Sequence, residues 1–322
     1  MKLGVFTVLF AQQSFETMLD TVKSAGLETV EIGAGGNPGN DHCPTETLLE
    51  DADARKRYLQ EVEKRELEIS ALSCHNNPLS PDKNEAETAH QELMNTIKLA
   101  SQLDVPVVNT FSGTPGSGEN SSVTHWPVAP WPTQYSDIYD WQWEQKIIPY
   151  WKDVAKVAED HGVKIGIEMH GGFSVHSPHT MLKLSQETGN VIGTNFDPSH
   201  MWWQGIDPVA AIRILGEAGL IHHFHAKDTY MNKENMNRHG VLDMQPYSDV
   251  PNRAWSFRSV GYGHPVYDWA DMISALRTYG YDHAISIEHE DPIMSIEEGF
   301  AAAVRNLQSV IIKEPASDMW WA

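Results

Sequence analysis

Eight short runs of apolar and β-branched residues, separated by segments of helical periodicity, constrain this chain more than any other feature. The runs fall at 2–8, 29–33, 68–75, 105–113, 164–170, 192–200, 221–228 and 284–291. Apolar runs of that length alternating with helical patterns predict parallel βαβ units. The first crossover carries the full signal. Ser14 is placed to N-cap a helix, Phe15, Met18, Leu19, Val22 and Ala25 share one face, and Gly26 follows as a C′ glycine. Later helices are predicted at 45–65, 85–103, 137–161, 178–187, 208–218, 267–279 and 295–312, with Pro149 kinking or breaking the segment that holds it. Eight βα units predict an α/β fold of the closed (β/α)₈, or TIM-barrel, type. An open doubly wound sheet is the alternative. It calls for a Gly-rich loop after the first strand, where this chain has Leu9-Phe10-Ala11-Gln12-Gln13.

No repeat or low-complexity linker divides the chain, so residues 1–322 are expected to form one domain with a C-terminal tail. Two connections are long, 112–136 and 229–264. Each follows a strand and is expected on the active face, as a lid or binding loop or as an oligomer contact. Lys plus Arg number 23 against 44 Asp plus Glu, a net charge of −21. That field opposes nucleic acid and anionic membranes. Two cysteines, Cys43 and Cys74, are too few for a disulfide framework. The apolar start is too short for a signal peptide, and no stretch is long enough to span a bilayer. The expectation is a cytoplasmic enzyme with a small-molecule substrate, no nucleic acid and no membrane.

The chemistry is concentrated at the strand ends. The fifth run closes in Glu168-Met169-His170, the sixth in Asp197-Pro198-Ser199-His200, the seventh in His225-Ala226-Lys227-Asp228 and the eighth in Glu288-His289-Glu290-Asp291. Burying an unpaired carboxylate is costly, so four successive strands ending this way need a common reason. If Glu168, Asp197, His225 and Glu288 point inward, they offer three carboxylates and one imidazole to one point. That oxygen-rich set suits one divalent metal, Mn²⁺ first, with Mg²⁺ or Co²⁺ as alternatives. His170, His200 and Lys227 are expected beside it, against ligands or substrate. His222, His223, His289 and Glu290 are expected to be solvated rim residues.

These strand ends resemble the sugar phosphate isomerase/epimerase superfamily with xylose-isomerase-like barrels, which includes ketose 3-epimerases and relatives of endonuclease IV. The resemblance covers nearly the whole chain. It rests on Glu168-Met169-His170, Asn195-Phe196-Asp197-Pro198-Ser199-His200, His225-Ala226-Lys227-Asp228, Arg258-Ser259-Val260-Gly261-Tyr262-Gly263 and Ser286-Ile287-Glu288, with Gly4-Val5-Phe6-Thr7 and Ser73-Cys74-His75 in support. It implies that Glu168, Asp197, His225 and Glu288 bind one metal, that Glu168 and Glu288 exchange protons with substrate with His170 beside them, and that His75, His200, Lys227 and Arg258 contact substrate. Proton removal next to a carbonyl then leads to epimerisation, isomerisation or elimination, according to where the proton returns or what leaves.

The chain also looks like the barrel (alpha) subunit of bacterial C-glycoside deglycosidases. This implies a lyase that cleaves 3-oxo-glycosides, and a hetero-oligomer with a small second subunit in place of a homo-oligomer. Trp126, Trp131, Tyr135, Tyr139, Trp141 and Trp143 then offer faces for a flavonoid or sugar, although Trp141 and Trp143 also fit helix packing. Two rival readings stand apart. A DNA-repair endonuclease needs more histidine ligands and a basic groove, which the charge opposes. A non-catalytic sugar-binding barrel predicts that Glu168→Gln and Glu288→Gln leave function intact.

Overall fold

The computed structural model describes residues 1–321. Eight parallel strands close into a barrel: β1 (Lys2–Phe6), β2 (Thr29–Gly36), β3 (Glu68–His75), β4 (Val107–Phe111), β5 (Lys164–Glu168), β6 (Ile192–Phe196), β7 (Ile221–Ala226) and, after a hairpin of β8 (Asp228–Met231) and β9 (Trp255–Arg258), β10 (Ala284–Ile287). Around the barrel the order is β1-β10-β7-β6-β5-β4-β3-β2. The helices are α1 (Phe15–Ser24), α2 (Thr45–Glu50), α3 (Ala52–Glu63), α4 (Lys83–Gln102), α5 (Gln134–Gln142), α6 (Ile148–Asp160), α7 (Pro178–Thr188), α8 (Pro198–Trp203), α9 (Pro208–Glu217), α10 (Lys233–His239), α11 (Val266–Thr278) and α12 (Ile296–Gln308). No helix among the described residues is long and apolar enough to cross a membrane.

The first crossover forms as its sequence predicts. Ser14 Oγ accepts from the Thr17 amide, Met18, Leu19 and Val22 are buried, and Gly26 takes φ +75° after the last turn. Three other segments depart from prediction for local reasons. The expected helix 45–65 is two helices, because the Asp51 carboxylate accepts from the Asp53 and Ala54 amides and starts a new one. The expected helix 137–161 is interrupted by a π turn at Trp143–Ile147, directly before Pro149 in the first turn of α6, so the break in the regular backbone ladder falls where the proline lacks an N–H. The sixth strand stops at Phe196. Asp197 caps α8 and Pro198 opens it.

The 229–264 connection is not an irregular lid. Its two ends pair antiparallel, Asp228 opposite Arg258 and Met231 opposite Trp255. Trp203, Ala254, Trp255 and Phe257 make a small apolar core behind them, against which Trp126, Met231 and Met236 pack. The buried Asp228 carboxylate holds the following turn. It accepts from the amides of Gly261 (2.9 Å), Gly263 (3.1 Å) and His264 (3.0 Å) and from His264 Nδ1 (2.9 Å). Gly261 needs its φ of +90°, and a Cβ on Gly263 would sit 2.4 Å from the Thr229 backbone. This accounts for the Gly-Tyr-Gly motif. Asp228→Asn removes the anion from several buried donors, so unfolding stability should fall by about 2–4 kcal/mol. A urea midpoint equal to wild type would show that other contacts hold the turn.

Two of the four histidine and acid positions expected on a solvated rim are buried. His222 is buried against the outer layer, its Nε2 2.9 Å from the Asn190 carbonyl, and burial lowers its pKa to about 4. His223 is buried in the barrel interior. Strand alternation turns neighbouring residues to opposite faces, so one histidine lies inside and the other under the helices. His289 is partly buried and Glu290 is half exposed at the mouth of the barrel.

Candidate active site

Two polar layers stack inside the barrel. The lower one centres on Glu31, from the middle of β2, which has no exposed surface. Its carboxylate accepts from Ser73 Oγ, Asn109 Nδ2 (2.9 Å), Ser286 Oγ (2.7 Å) and His225 Nε2 (2.9 Å). Burial raises its pKa, but His225, His223 and these donors outweigh burial and hold it ionised. Glu31, His223 and His225 lie close enough to share a cation. Four donors already satisfy the carboxylate, so the trio fits a hydrogen-bonded support better than a metal site. Sequence reasoning missed Glu31. The signal was a lone carboxylate in the apolar run Thr29-Val30-Glu31-Ile32.

The consequence falls on His225. A carboxylate only accepts, so His225 Nε2 carries a hydrogen and Nδ1 faces the upper layer, where the surrounding carboxylates favour a protonated ring unless a cation takes that place. There Nδ1 lies 3.0 Å from Glu288 Oε2 and 3.4 Å from Glu168 Oε2. Phe6 stacks on the imidazole, with centroids 5.5 Å apart. Asp197 is oriented by its capping role. Its Oδ1 accepts from the Ser199 amide at 2.8 Å, which leaves Oδ2 for the site.

Glu168, Asp197, His225 and Glu288 are brought together, each offering one ligand atom within 4.8 Å of the others. Four buried atoms here, His75 Nε2, Asp197 Oδ2, His225 Nδ1 and Glu288 Oε2, have close polar neighbours but no well-directed hydrogen bond. Three of these atoms belong to Asp197, His225 and Glu288 of the clustered set, whose O₃N donors fit a divalent cation.

The remaining predicted residues are placed unevenly. His200 accepts at Nδ1 from Trp203 Nε1 (3.4 Å), so its Nε2–H donates to Glu168 Oε1 (3.0 Å). Burial lowers its pKa to about 3, so it acts as a neutral donor. His75 Nε2 lies 3.1 Å from Glu168 Oε2, and Phe111 packs edge-on to its ring. Burial also opposes charge on Glu168, but His200, His225 and His75 prevail and hold it well below the usual carboxylate range. Burial, with Glu168 and Glu288 adding, pushes Asp197 up to about 7 against the pull of Lys227. Lys227 stays charged despite burial, because its Nζ lies 2.7 Å from Glu288, 3.0 Å from Glu290 and 3.1 Å from Asp197. It thus offsets part of the acidic set. His170 Nδ1 donates to the Gly171 carbonyl (2.5 Å), so its Nε2 is a bare acceptor, and burial lowers its pKa.

A cavity of about 230 Å³ opens over this layer, lined by Phe6, His75, Phe111, Glu168, His170, Lys227, Glu288 and Glu290 among others. Arg258, which the resemblance implies contacts substrate, lines no part of it. Asp291 takes its Nε at 3.0 Å and also caps the Ser259, Ile293 and Met294 amides. The six aromatics from Trp126 to Trp143 do not line it either. Trp143 is core, Trp126 packs edge-on to His176, and Trp131 is exposed.

The model of the xylose isomerase-like TIM barrel matches residues 19–310. The chain belongs to that family. It is similar to the uncharacterized protein YfiH of Bacillus subtilis (strain 168), 36% identical over 97% of this chain and 99% of the relative. Among solved structures it is similar to a D-tagatose 3-epimerase-like protein, with TM-score 0.62 and 21% identity over 96% and 98% of the two chains. It is also similar to the probable 3-DHS dehydratase AsbF of Bacillus anthracis, with TM-score 0.66 and 19% identity over 96% and 99%. At these identities the solved structures establish the fold.

Proposed function

We propose that this protein is an enzyme that removes a proton next to a carbonyl of a sugar or oxo-sugar, with Glu168, Asp197, His225 and Glu288 holding one divalent metal, Mn²⁺ in the first instance. The observation that carries the reading is the convergence of four buried donor atoms on one point at the floor of a cavity. A divalent cation bound there supplies Lewis acidity to a substrate carbonyl and hydroxyl. The chain supplies the rest. Glu168 and Glu288 rise from β5 and β10, which β6 and β7 separate in the barrel, so their carboxylates flank the cavity from two sides. One is set to take a proton from one face of the substrate and the other to return it from the opposite face. His75 and His200 fix the Glu168 carboxylate, and Lys227 limits the repulsion between Asp197 and Glu288. His170 Nε2, bare at the cavity wall, is an acceptor for a substrate hydroxyl.

The epimerase and dehydratase names among the fold neighbours agree with chemistry that begins with this proton. A second reading, elimination of an aglycone as in C-glycoside deglycosidases, gains support from an adjoining cavity beyond His170 and Glu290. The test is NMR of ketoses, aldoses and 3-oxo-glycosides in D₂O with metal-loaded protein. Metal-dependent C–H exchange with one class supports the reading and selects the substrate. Bound metal with no exchange from any of them would remove it.

A further inference from the structure

The face of the barrel where the strands begin, opposite the candidate active site, carries a tail and two cavities. After α12 the chain packs Ile311 and Ile312 against the core. Lys313 Nζ then meets Glu28 at 2.8 Å, and Arg277 donates to the Glu314 carbonyl at 2.6 Å. Arg277 also pairs with Asp282, just before β10, so the tail leaves from the rim of this face. Beyond that anchor residues 315–321 are exposed. They include Met319, Trp320 and Trp321, which are 66%, 87% and 67% exposed. Three consecutive large apolar side chains in water mark a contact surface.

The two cavities lie beside the anchor. One, of about 380 Å³, has a wall of Pro106, Val107, Ile221, Tyr279 and Tyr281. The other, of about 540 Å³, adjoins it at Pro106, Asp282 and His283 and is lined by Val62, Leu67, Ile69 and Leu103 among others. The first has room for an indole and a group suited to one. Lys164 stands exposed at its edge, with no carboxylate within 4.0 Å among the described residues. An unpaired ammonium over an indole face is a favourable contact. Charge does not oppose a second copy here, although the chain carries −21. Of the charged groups lining the cavities, Glu68 is paired with Lys2 and Asp282 with Arg277, which leaves Lys164 against Glu63 and Asp104.

We infer that two copies of this chain pair through these faces, the tail of each seating Trp320 and Trp321 in the Lys164-edged cavity of the other. A single chain leaves both tail and cavity uncovered. A two-fold partner covers both at once, because each copy brings both halves of the contact. Residues 315–321 span about 20 Å when extended, enough to cross from one rim to the facing cavity. Each seated indole buries about 150–250 Å². Four of them, with the walls they cover, reach the roughly 1,200–2,000 Å² of a stable interface.

The experiment is sedimentation velocity of the full-length protein over a wide range of concentrations. Wild type should form a dimer. Trp320→Ser combined with Trp321→Ser should raise its dissociation constant by about 10²-fold or more, the loss of two buried anchors. Both side chains are exposed in the single chain, so this variant is not expected to disturb folding. Lys164→Glu should raise the dissociation constant by about tenfold, and Lys164→Arg should leave it near wild type. A monomer at every concentration, whether the tail stays free or enters its own cavity, would overturn the inference. So would a dimer as strong in the double tryptophan variant as in wild type. A dimer weakened by the tryptophan changes and indifferent to Lys164→Glu would overturn the assignment of this cavity as the seat.

Discussion

Glu168→Gln should lower metal-dependent C–H exchange of the substrate by about 10³-fold, within the range expected when a positioned proton acceptor is removed. The substitution keeps the size of the side chain and one oxygen toward the site, and it takes away the basic carboxylate. Because Glu168 is also one of the four proposed ligands, exchange must be compared at saturating Mn²⁺, with occupancy counted separately by electron paramagnetic resonance. The surroundings of Glu168 make the change specific. His200 donates to one oxygen and His75 faces the other, so the carboxylate is locked in one orientation. Glu288→Gln should produce a loss of similar size if the two carboxylates act from opposite sides. A fully loaded Glu168→Gln protein that exchanges at the wild-type rate would exclude Glu168 as the proton acceptor. His170, with its bare Nε2, would then be the group to test.

Glu31→Gln should weaken Mn²⁺ binding by about 10–100-fold, although Glu31 touches no metal ligand other than His225. The ionised Glu31 requires a hydrogen on His225 Nε2, and this leaves Nδ1 as the ring atom that can bind a cation. A neutral amide in its place presents both donors and acceptors, so the orientation and tautomer of the imidazole lose their constraint. The same change removes the anion from Ser73, Asn109 and Ser286, and should cost about 3 kcal/mol of stability as well. A purely structural role would lower stability and leave the metal affinity of the folded fraction intact. Manganese titration of the folded protein separates the two, and wild-type affinity there would reduce Glu31 to a packing residue. Glu31→Asp, which restores the charge on a shorter arm, should recover part of the affinity.

The eight-strand frame and the four converging residues were both open to sequence reasoning, and for one reason. Parallel barrel strands are short and buried along their length, so a carboxylate or imidazole at the end of an apolar run stands out against its neighbours. Glu168, Asp197, His225 and Glu288 each occupy such an end. The helix boundaries that failed did so where a single side chain competed with the backbone pattern, as Asp51 does at the start of α3. In the sequence Asp197 reads as a strand end; its N-cap role, which frees Oδ2, depends on the turn into α8.

What sequence determined by itself is therefore the periodic part of this protein: the order of strands and helices, and the acidic and imidazole groups at the mouth of the barrel. Tertiary structure alone decided the rest. Glu31 lies below the mouth and meets Asn109, His225 and Ser286 only because closure brings strands far apart in the chain to one axis. His223 and His222, adjacent in sequence, part to opposite sides of β7. Arg258 is taken by Asp291, while Tyr247 and Phe257 reach the site because Asp228 folds an aperiodic segment back as a hairpin. Periodicity records which face of an element is apolar. It holds no record of which distant side chains barrel closure will place together, and the hydrogen bonds that set tautomer, charge and cavity shape form between those.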